Sequence, residues 1–433
     1  MKSTLHLISM PAMGLLAALA IPTGLGAQPS YKVTDLGPAG NPFSQASGVD
    51  NFGLITGLAT AADGSQHAVV WLNGVMTDIG KPGLGGPNSG GGGVNAFGQV
   101  LGGAETSLKD PNNENFCGYG TGLQCLPFVW SFGAGMTALP TLGGTNAAWG
   151  GINNVGEVAG FAENTHRDPA CPGKVAVNGT GPQLFDFEPV IWGPKPGQIR
   201  QLSPLPGDTV GMANAINDYG QAVGMSGTCA NTVVGGFAGG PHAVLWESDG
   251  SVHDLGNLGG TVNTGILAAG TLAWAINNRG MVAGQSDLPG NKAFHPFLWT
   301  RETGMMDLGV LPGDLVGAGV NMNNRGEIVG ASVSAPGPSS GNPRAFLWRS
   351  GVMMDLNTLI PADAPLYLLT AFGINDAGEI VGFGVTDDGD IHGFLATPTS
   401  GVGAAFVSKE SARPTALSEN ARKVVLRQWK PGR

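Results

Sequence analysis

Charge is scarce in this chain: only 12% of its 433 residues are Asp, Glu, Lys or Arg. Together with 42% hydrophobic residues and nine tryptophans, that scarcity excludes the disordered, polyelectrolyte class of sequence. Basic residues are rarest of all between positions 28 and 398, where 13 Lys and Arg stand against 29 Asp and Glu. A body of that sign repels phosphates, so nucleic acid is not expected as a partner. Beyond the first 27 residues no segment approaches ~18 consecutive apolar residues, so no membrane span is expected in the mature chain. The four cysteines match no zinc-module spacing, and G-x-S-x-G, H-E-x-x-H and phosphate-loop motifs are all missing. No cofactor and no metal is therefore predicted, and the sequence nominates no catalytic residue. DDGD at residues 387–390 lacks a full calcium-loop ligand set and reads as a surface turn.

What is present begins with an N-terminal stretch laid out as a secretory signal peptide: Lys2, an apolar run, and small residues near Ala20 and Ala27. Cleavage near Ala27 is expected. The competing reading is an uncleaved anchor, but Pro11, Pro22 and three glycines interrupt the run. Cysteines behind an export signal default to disulfides. Cys117 and Cys125 enclose a short loop and form the preferred pair, leaving Cys171 and Cys229; three connectivities remain open.

Glycine is abundant, 74 residues with 30 prolines, and seven glycines mark a repeat. GVDNFGLITG, GVNAFGQVLG, GINNVGEVAG, AINDYGQAVG, AINNRGMVAG, NMNNRGEIVG and GINDAGEIVG align on Gly53, Gly98, Gly156, Gly220, Gly280, Gly326 and Gly378, which fall 45, 58, 64, 60, 46 and 52 residues apart. Periods of this size mean repeated supersecondary units. Three residues before each glycine stands Asp50, Asn95, Asn153, Asn217, Asn277, Asn323 or Asn375. Such an Asx side chain can bond the backbone two residues on, and glycine supplies the left-handed residue that closes a hairpin loop. The motif is first a hairpin turn, set by backbone demands.

Each turn leads into a strand of the form E-V-A-G, a variable loop, and a second strand: HAVVW, LPFVW, EPVIW, HAVLW, HPFLW, RAFLW or HGFLA. Six of the nine tryptophans end that strand and read as core anchors. A final strand such as GMMDLGVL completes four strands per unit, the signature of a β-propeller blade. The ends of the array decide between closure and an open solenoid. The seventh unit stops without its D-L-G strand, while the array opens on YKVTDLG, residues 31–37, a D-L-G strand with no unit before it. The expected fold is an all-β, seven-bladed β-propeller over residues 28–398, closed by the N-terminal strand completing the last blade. A parallel solenoid and another β architecture are the weaker alternatives.

HAVVW, HAVLW, HPFLW, RAFLW, G-I-N-x-x-G-E-V-x-G and D-L-G-x-L-G-G, spread over about residues 31–398, resemble the bacterial extracellular repeat family named for the letters H-A-F. The resemblance implies a secreted or surface protein and carries no catalytic residues. Units two and three depart from the pattern, with Leu126 and Glu188 at the histidine position.

Four histidines, His67, His242, His295 and His392, share one register. Ring geometry places them on separate blades, too far apart for the ~2 Å bonds of one metal, so they are expected to bond between strands. Loop length is the stronger functional signal. Between the E-V-A-G glycine and the Trp strand the units have 9, 23, 27, 17, 10, 13 and 9 residues, so units two to four are swollen, and they hold all four cysteines. These loops share a face with the inter-blade linkers, opposite the tight turns, and a loop-rich face on a rigid scaffold is where binding is expected. Candidate ligand-binding residues there are Asn146, Trp149, Asp208, Trp274 and Asp314, with Thr209 in the linkers and Glu105, Asp110, Glu163, His166 and Asp168 in the insertions. An aromatic floor with polar neighbours suits a carbohydrate or peptide.

Residues 399–433 carry seven basic residues against two acidic ones and could form a short helix capped by Ser418, docking on the acidic propeller. The sequence thus predicts a secreted, monomeric, non-enzymatic binding or scaffold module for a glycan or protein. Alternatives are an extracellular polysaccharide hydrolase or lyase with acidic residues near the axis, and a purely structural envelope component.

Overall fold

A computed structural model of the chain describes residues 30–37, 43–171, 182–232, 240–261, 270–334 and 343–399. The expected signal peptide and the expected tail helix lie outside these residues. Seven four-stranded antiparallel sheets form the ring of a seven-bladed β-propeller. Each blade runs in sequence order from its innermost to its outermost strand, as in blade 1: Ser44–Val49, Ile55–Thr60, Gln66–Leu72 and Val75–Asp78. Blade 7 is the exception that closes the ring. Its first three strands are Tyr367–Ile374, Ile380–Val385 and Ile391–Thr399, and its outermost strand is the N-terminal Ser30–Asp35. Ser30 pairs with Thr399, one residue beyond the predicted end of the propeller, so the third strand runs into what the sequence assigns to the tail.

Because every blade is packed between two others, its middle strands are buried on both faces. All six residues of Ala222–Gly227, Val282–Asp287, Ile328–Val333 and Ile380–Val385 are buried, so the half-exposed alternation of an ordinary sheet is absent. The core is accordingly a series of inter-blade clusters. In one of them Ala159 and Ile191 of blade 3 pack on Ala213, Ile216, Ala222, Val244 and Trp246 of blade 4. Tryptophans of the third strands also lock blades 1, 3 and 4 to the linkers entering them: Trp71, Trp192 and Trp246 donate Nε1–H to the carbonyls of Leu36, Pro140 and Ser203 at 2.7–3.0 Å.

The histidine and D-L-G aspartate registers prove to be two halves of one device. His67, His242, His295 and His392 bond through Nδ1 to Asp78, Asp254, Asp307 and Asp35 on the adjacent outer strand at 2.7–3.0 Å. Each aspartate also accepts the backbone N–H two residues on, that of Gly80, Gly256, Gly309 or Gly37, and so turns the chain out of the strand. In blade 6, Arg344 replaces histidine and pairs with Asp355.

The Asx-x-x-Gly turns have the expected geometry: the seven glycines have φ between 71° and 86°, and all seven Asx side chains accept the backbone N–H four residues on at 2.8–3.1 Å. The same side chain does a second task that turn chemistry does not require. Asn95 Nδ2 donates to the carbonyl of Asn153, Asn153 to Asn217, Asn217 to Asn277, Asn277 to Asn323, Asn323 to Asn375, and Asn375 to Asp50, all at 2.9–3.1 Å. The following residues form a parallel ladder, in which Ala96, Asn154, Asp218, Asn278, Asn324 and Asp376 donate N–H to the side-chain oxygen of Asn154, Asp218, Asn278, Asn324, Asp376 and Asn51 at 2.8–2.9 Å. Each ladder makes six links. Both stop between blades 1 and 2, where Asp50 has no amide to give and Ala96 no side-chain oxygen to receive.

This placement predicts opposite effects for reciprocal substitutions. Asn277→Asp keeps the acceptor that shapes the turn but removes one inter-blade donor and buries a charge; it should cost about 1–3 kcal/mol. Asp50→Asn supplies the seventh donor and should add about 1 kcal/mol. Urea unfolding of both variants measures this, and equal stabilities would refute the ladder's role.

Candidate functional site

The innermost strands line a central channel, and all seven are irregular at the same place. Register shifts fall between Ala46 and Gly48, Gly91 and Val94, Trp149 and Ile152, Ala213 and Ala215, Ala273 and Ala275, Gly319 and Asn321, and Ala371 and Gly373. A β-bulge leaves its extra residue outside the ladder and re-aims the side chain. Here the residue three before each Asx is released, together with Gly93 and Gly151 in blades 2 and 3, and all seven residues of that register, Ser47, Gly92, Gly150, Asn214, Trp274, Val320 and Phe372, line one cavity of about 410 Å³.

Three layers follow along the axis. The cavity is walled by the bulge residues together with Gln45, Trp149 and Asn321. Below it the residues one before each Asx, Val49, Val94, Ile152, Ile216, Ile276, Met322 and Ile374, make an aliphatic collar. Last comes the Asx ring itself, around a smaller space of about 210 Å³ on the turn face. No Asp, Glu, His, Lys, Arg, Cys or Tyr is among the described residues lining the larger cavity. Its chemistry is that of aromatic faces, amides and bare glycine backbone.

Trp149 is held in that wall by glycines of the neighbouring blade. A Cβ on Gly103 would lie 1.8 Å from its ring, and one on Gly92 would lie 2.5 Å from its Nε1. Only glycine fits at either position, and the indole takes the volume their side chains would fill. The Trp274 Nε1–H donates to Gln285 Oε1 at 3.4 Å, and the Asn214 Nδ2 to the Ala273 carbonyl at 3.0 Å.

On the side opposite the turns, the described parts of the long loops of blades 2 to 4 are tied together. Cys117–Cys125 closes a turn within blade 2, and Cys171–Cys229 ties the blade 3 loop to the blade 4 loop. Phe116 of the blade 2 loop is fully buried against Phe161, with ring centroids 5.8 Å apart, in an apolar cluster that also contains Phe187, Met212 and three of the four cysteines. Beside it three carboxyl groups converge. Thr145 Oγ1 lies 2.7 Å from Asp110 Oδ2, 3.2 Å from Glu163 Oε2 and 3.4 Å from Glu114 Oε2, and Asn146 Nδ2 lies within 3.5 Å of the same three oxygens. Burial, and then the charge of Glu114, pushes the Glu163 carboxyl up to about 8; Glu114 is raised by burial and by Asp110. Thr145 and Asn146 thus join the blade 2 loop to blade 3. In blade 3, Glu188 at the histidine position is raised to about 7 by burial and by Asp186.

The residues singled out from sequence therefore part company. Trp149 and Trp274 come together in the cavity. Asn146 is fully buried inside the carboxyl group, with Asp110 and Glu163. Asp208 accepts the Ser226 hydroxyl at 2.7 Å, and Asp314 is a buried partner of Arg344 at 2.8 Å. Glu105 is bonded to Asn88 and Thr121, His166 to Asp186 at 2.6 Å, and Thr209 lies 3.5 Å from Asp168. Gln45, Asn214, Asn321 and Phe372 were missed. Counting back three residues from each Asx reveals two of them, Asn214 and Phe372, but only once the bulge is known does that register point inward.

A carboxyl raised in the folded state takes up a proton that the unfolded chain has already released. Stability should fall as pH rises from about 4.5 to about 8, because the unfolded state ionises Glu163 first. Glu163→Gln removes this contribution, leaving a shallower fall that Glu114 and Glu188 still supply. Denaturant midpoints measured across that range test it; an unchanged slope in the variant would exclude a proton on Glu163.

No protein-family model matches the chain, and no curated protein matches it. Among solved structures it is similar to the β-propeller domain of the Trilobed protease from Pyrococcus furiosus, at 9% identity and a TM-score of 0.46 over 82% of this chain and 97% of that one. It is also similar to the gluconolactonase XC5397 from Xanthomonas campestris, at 9% identity and 0.37 over 85% and 90%, and to Pyrococcus horikoshii acylaminoacyl peptidase, at 13% and 0.41 over 80% and 58%. These likenesses concern the propeller fold alone.

Proposed function

We propose that this protein is a secreted, non-enzymatic binding module of the extracellular H-A-F repeat type, which takes part of a glycan or protein into its central cavity from the loop-rich face. One observation carries the reading. Around the ring the Asx register is all Asn or Asp and the register before it is all aliphatic, yet the bulged register between collar and cavity reads Ser, Gly, Gly, Asn, Trp, Val, Phe. Registers that build the scaffold repeat; the one facing the cavity does not. The collar and Asx ring stand between the cavity and the turn face, so approach is from the side bearing the inserted loops. Two disulfides among those loops suit an oxidising, extracellular or periplasmic setting.

The rival reading, a hydrolase or lyase with acids near the axis, has Asp50, Asp218 and Asp376 at the turn-face mouth to draw on. Both oxygens of Asp218 already accept bonds, from Asn154 and Asn278, which leaves it poorly placed for proton transfer. Calorimetry of the purified chain against polysaccharides and secreted proteins, run beside a reducing-end assay, separates the readings. Binding without turnover is expected. New reducing ends that disappear in Asp218→Asn would establish the enzyme instead.

A further inference from the structure

Resting on the binding reading, we infer that the cavity accepts a neutral, hydroxyl-rich ligand, a short uncharged saccharide segment, in preference to an acidic glycan or a charged peptide. The lining decides the charge. A carboxylate, sulfate or ammonium entering the cavity would lose water without meeting an opposite charge, because no ionisable side chain is among its described lining residues. The lining also decides the polarity. A purely apolar guest would take water from Asn214 Oδ1 and Asn321 Nδ2, the ends of those amides not bonded to other described residues, and give nothing in return, whereas hydroxyl groups can both donate to and accept from an amide.

Shape points the same way. The bulged residues are small on blades 1 to 3, Ser47, Gly92 and Gly150, and include Trp274 and Phe372 on blades 5 and 7. With Trp149 seated against Gly92, aromatic faces, amides and exposed peptide groups share the wall of the cavity. A sugar ring has an apolar C–H face that rests on an aromatic ring and a hydroxyl edge that reaches amides and peptide groups; this arrangement offers both at once. Trp149 is fixed by Gly92 and Gly103 before any ligand arrives, so little ordering cost remains to be met on binding. The volume of about 410 Å³ lies in the ~300–1,000 Å³ range of small-ligand pockets, enough for a short segment and too small for a folded partner.

The test uses the full secreted chain and intrinsic tryptophan fluorescence. Neutral gluco-, manno- and N-acetylglucosamine oligosaccharides are titrated beside oligogalacturonate and charged and neutral tripeptides. Two variants localise the site. Trp274→Ala removes a wall, and Ser47→Phe fills the cavity beside Ser47 with a ring that the same register already carries at Phe372. Circular dichroism and unfolding midpoints confirm that each variant folds. The expected result is saturable binding of at least one neutral oligosaccharide, weakened tenfold or more in both folded variants, with no binding of the acidic series. An acidic oligosaccharide or a peptide that binds and is blocked by Ser47→Phe would overturn the ligand class while leaving the binding module intact. Neutral sugar binding indifferent to both variants would place the site elsewhere and overturn the inference alone. No binding by any probe at millimolar concentration, together with none in the wider protein and polysaccharide screen, would overturn both.

Discussion

One side-chain amide, repeated around the axis, is the constraint on which the ring depends. In Asn277 and its five amide counterparts the oxygen organises a hairpin turn and the nitrogen bonds the next blade's equivalent carbonyl. A turn needs only the oxygen, which Asp supplies as well as Asn. The second link needs the N–H₂, so the preference for Asn at six of seven positions records contact between blades, not hairpin chemistry. The single Asp50, followed a blade later by Ala96, opens both ladders at one junction. Elsewhere that junction is held by other bonds, including the Ala68 N–H donated to Ser89 Oγ at 3.0 Å.

Holding the turns in a flat ring has a consequence three residues upstream. The innermost strands must converge on the axis, and each accommodates an extra residue in a bulge at the same place. That residue leaves the hydrogen-bonded ladder, so its identity is freed from the demands of pairing. Scaffold and site are thereby separated along a single strand: Asn277 builds the ring, Ile276 packs the collar, and Trp274 faces the cavity. The inserted loops add a second kind of specialisation: over blades 2 to 4 their described parts are fastened by two disulfides, a phenylalanine cluster and a cluster of buried carboxyl groups.

Much of this was legible in the sequence. Seven turns, four strands per unit, an orphan D-L-G strand at the start of the array and a last unit that lacks one lead to a closed ring, and Ser30–Asp35 indeed pairs with Ile391–Thr399. The preference for Cys117–Cys125 rests on its short loop, and the structure has that pair together with Cys171–Cys229. Of the residues proposed for binding, Trp149 and Trp274 meet in the cavity because aromatic residues in inner strands have few other places to go. Asn146, Asp208 and Asp314 do not join them. A polar residue in a linker looks the same in sequence whether it faces solvent, caps Ser226 or neutralises Arg344, and its partner lies 18 to 30 positions away or more.

What the sequence by itself determined is what repeats: turn type, strand count, blade count and closure, each encoded by local backbone demands recurring seven times. Only the tertiary structure decided which registers look inward, which amides link blades, and where three acidic side chains converge on Thr145 and Asn146. Those outcomes depend on residues about 45 to 65 positions apart in neighbouring blades, and on a bulge that rotates one side chain per blade toward the axis. Periodicity cannot report such a rotation, because a single extra residue moves a side chain from one face of a strand to the other.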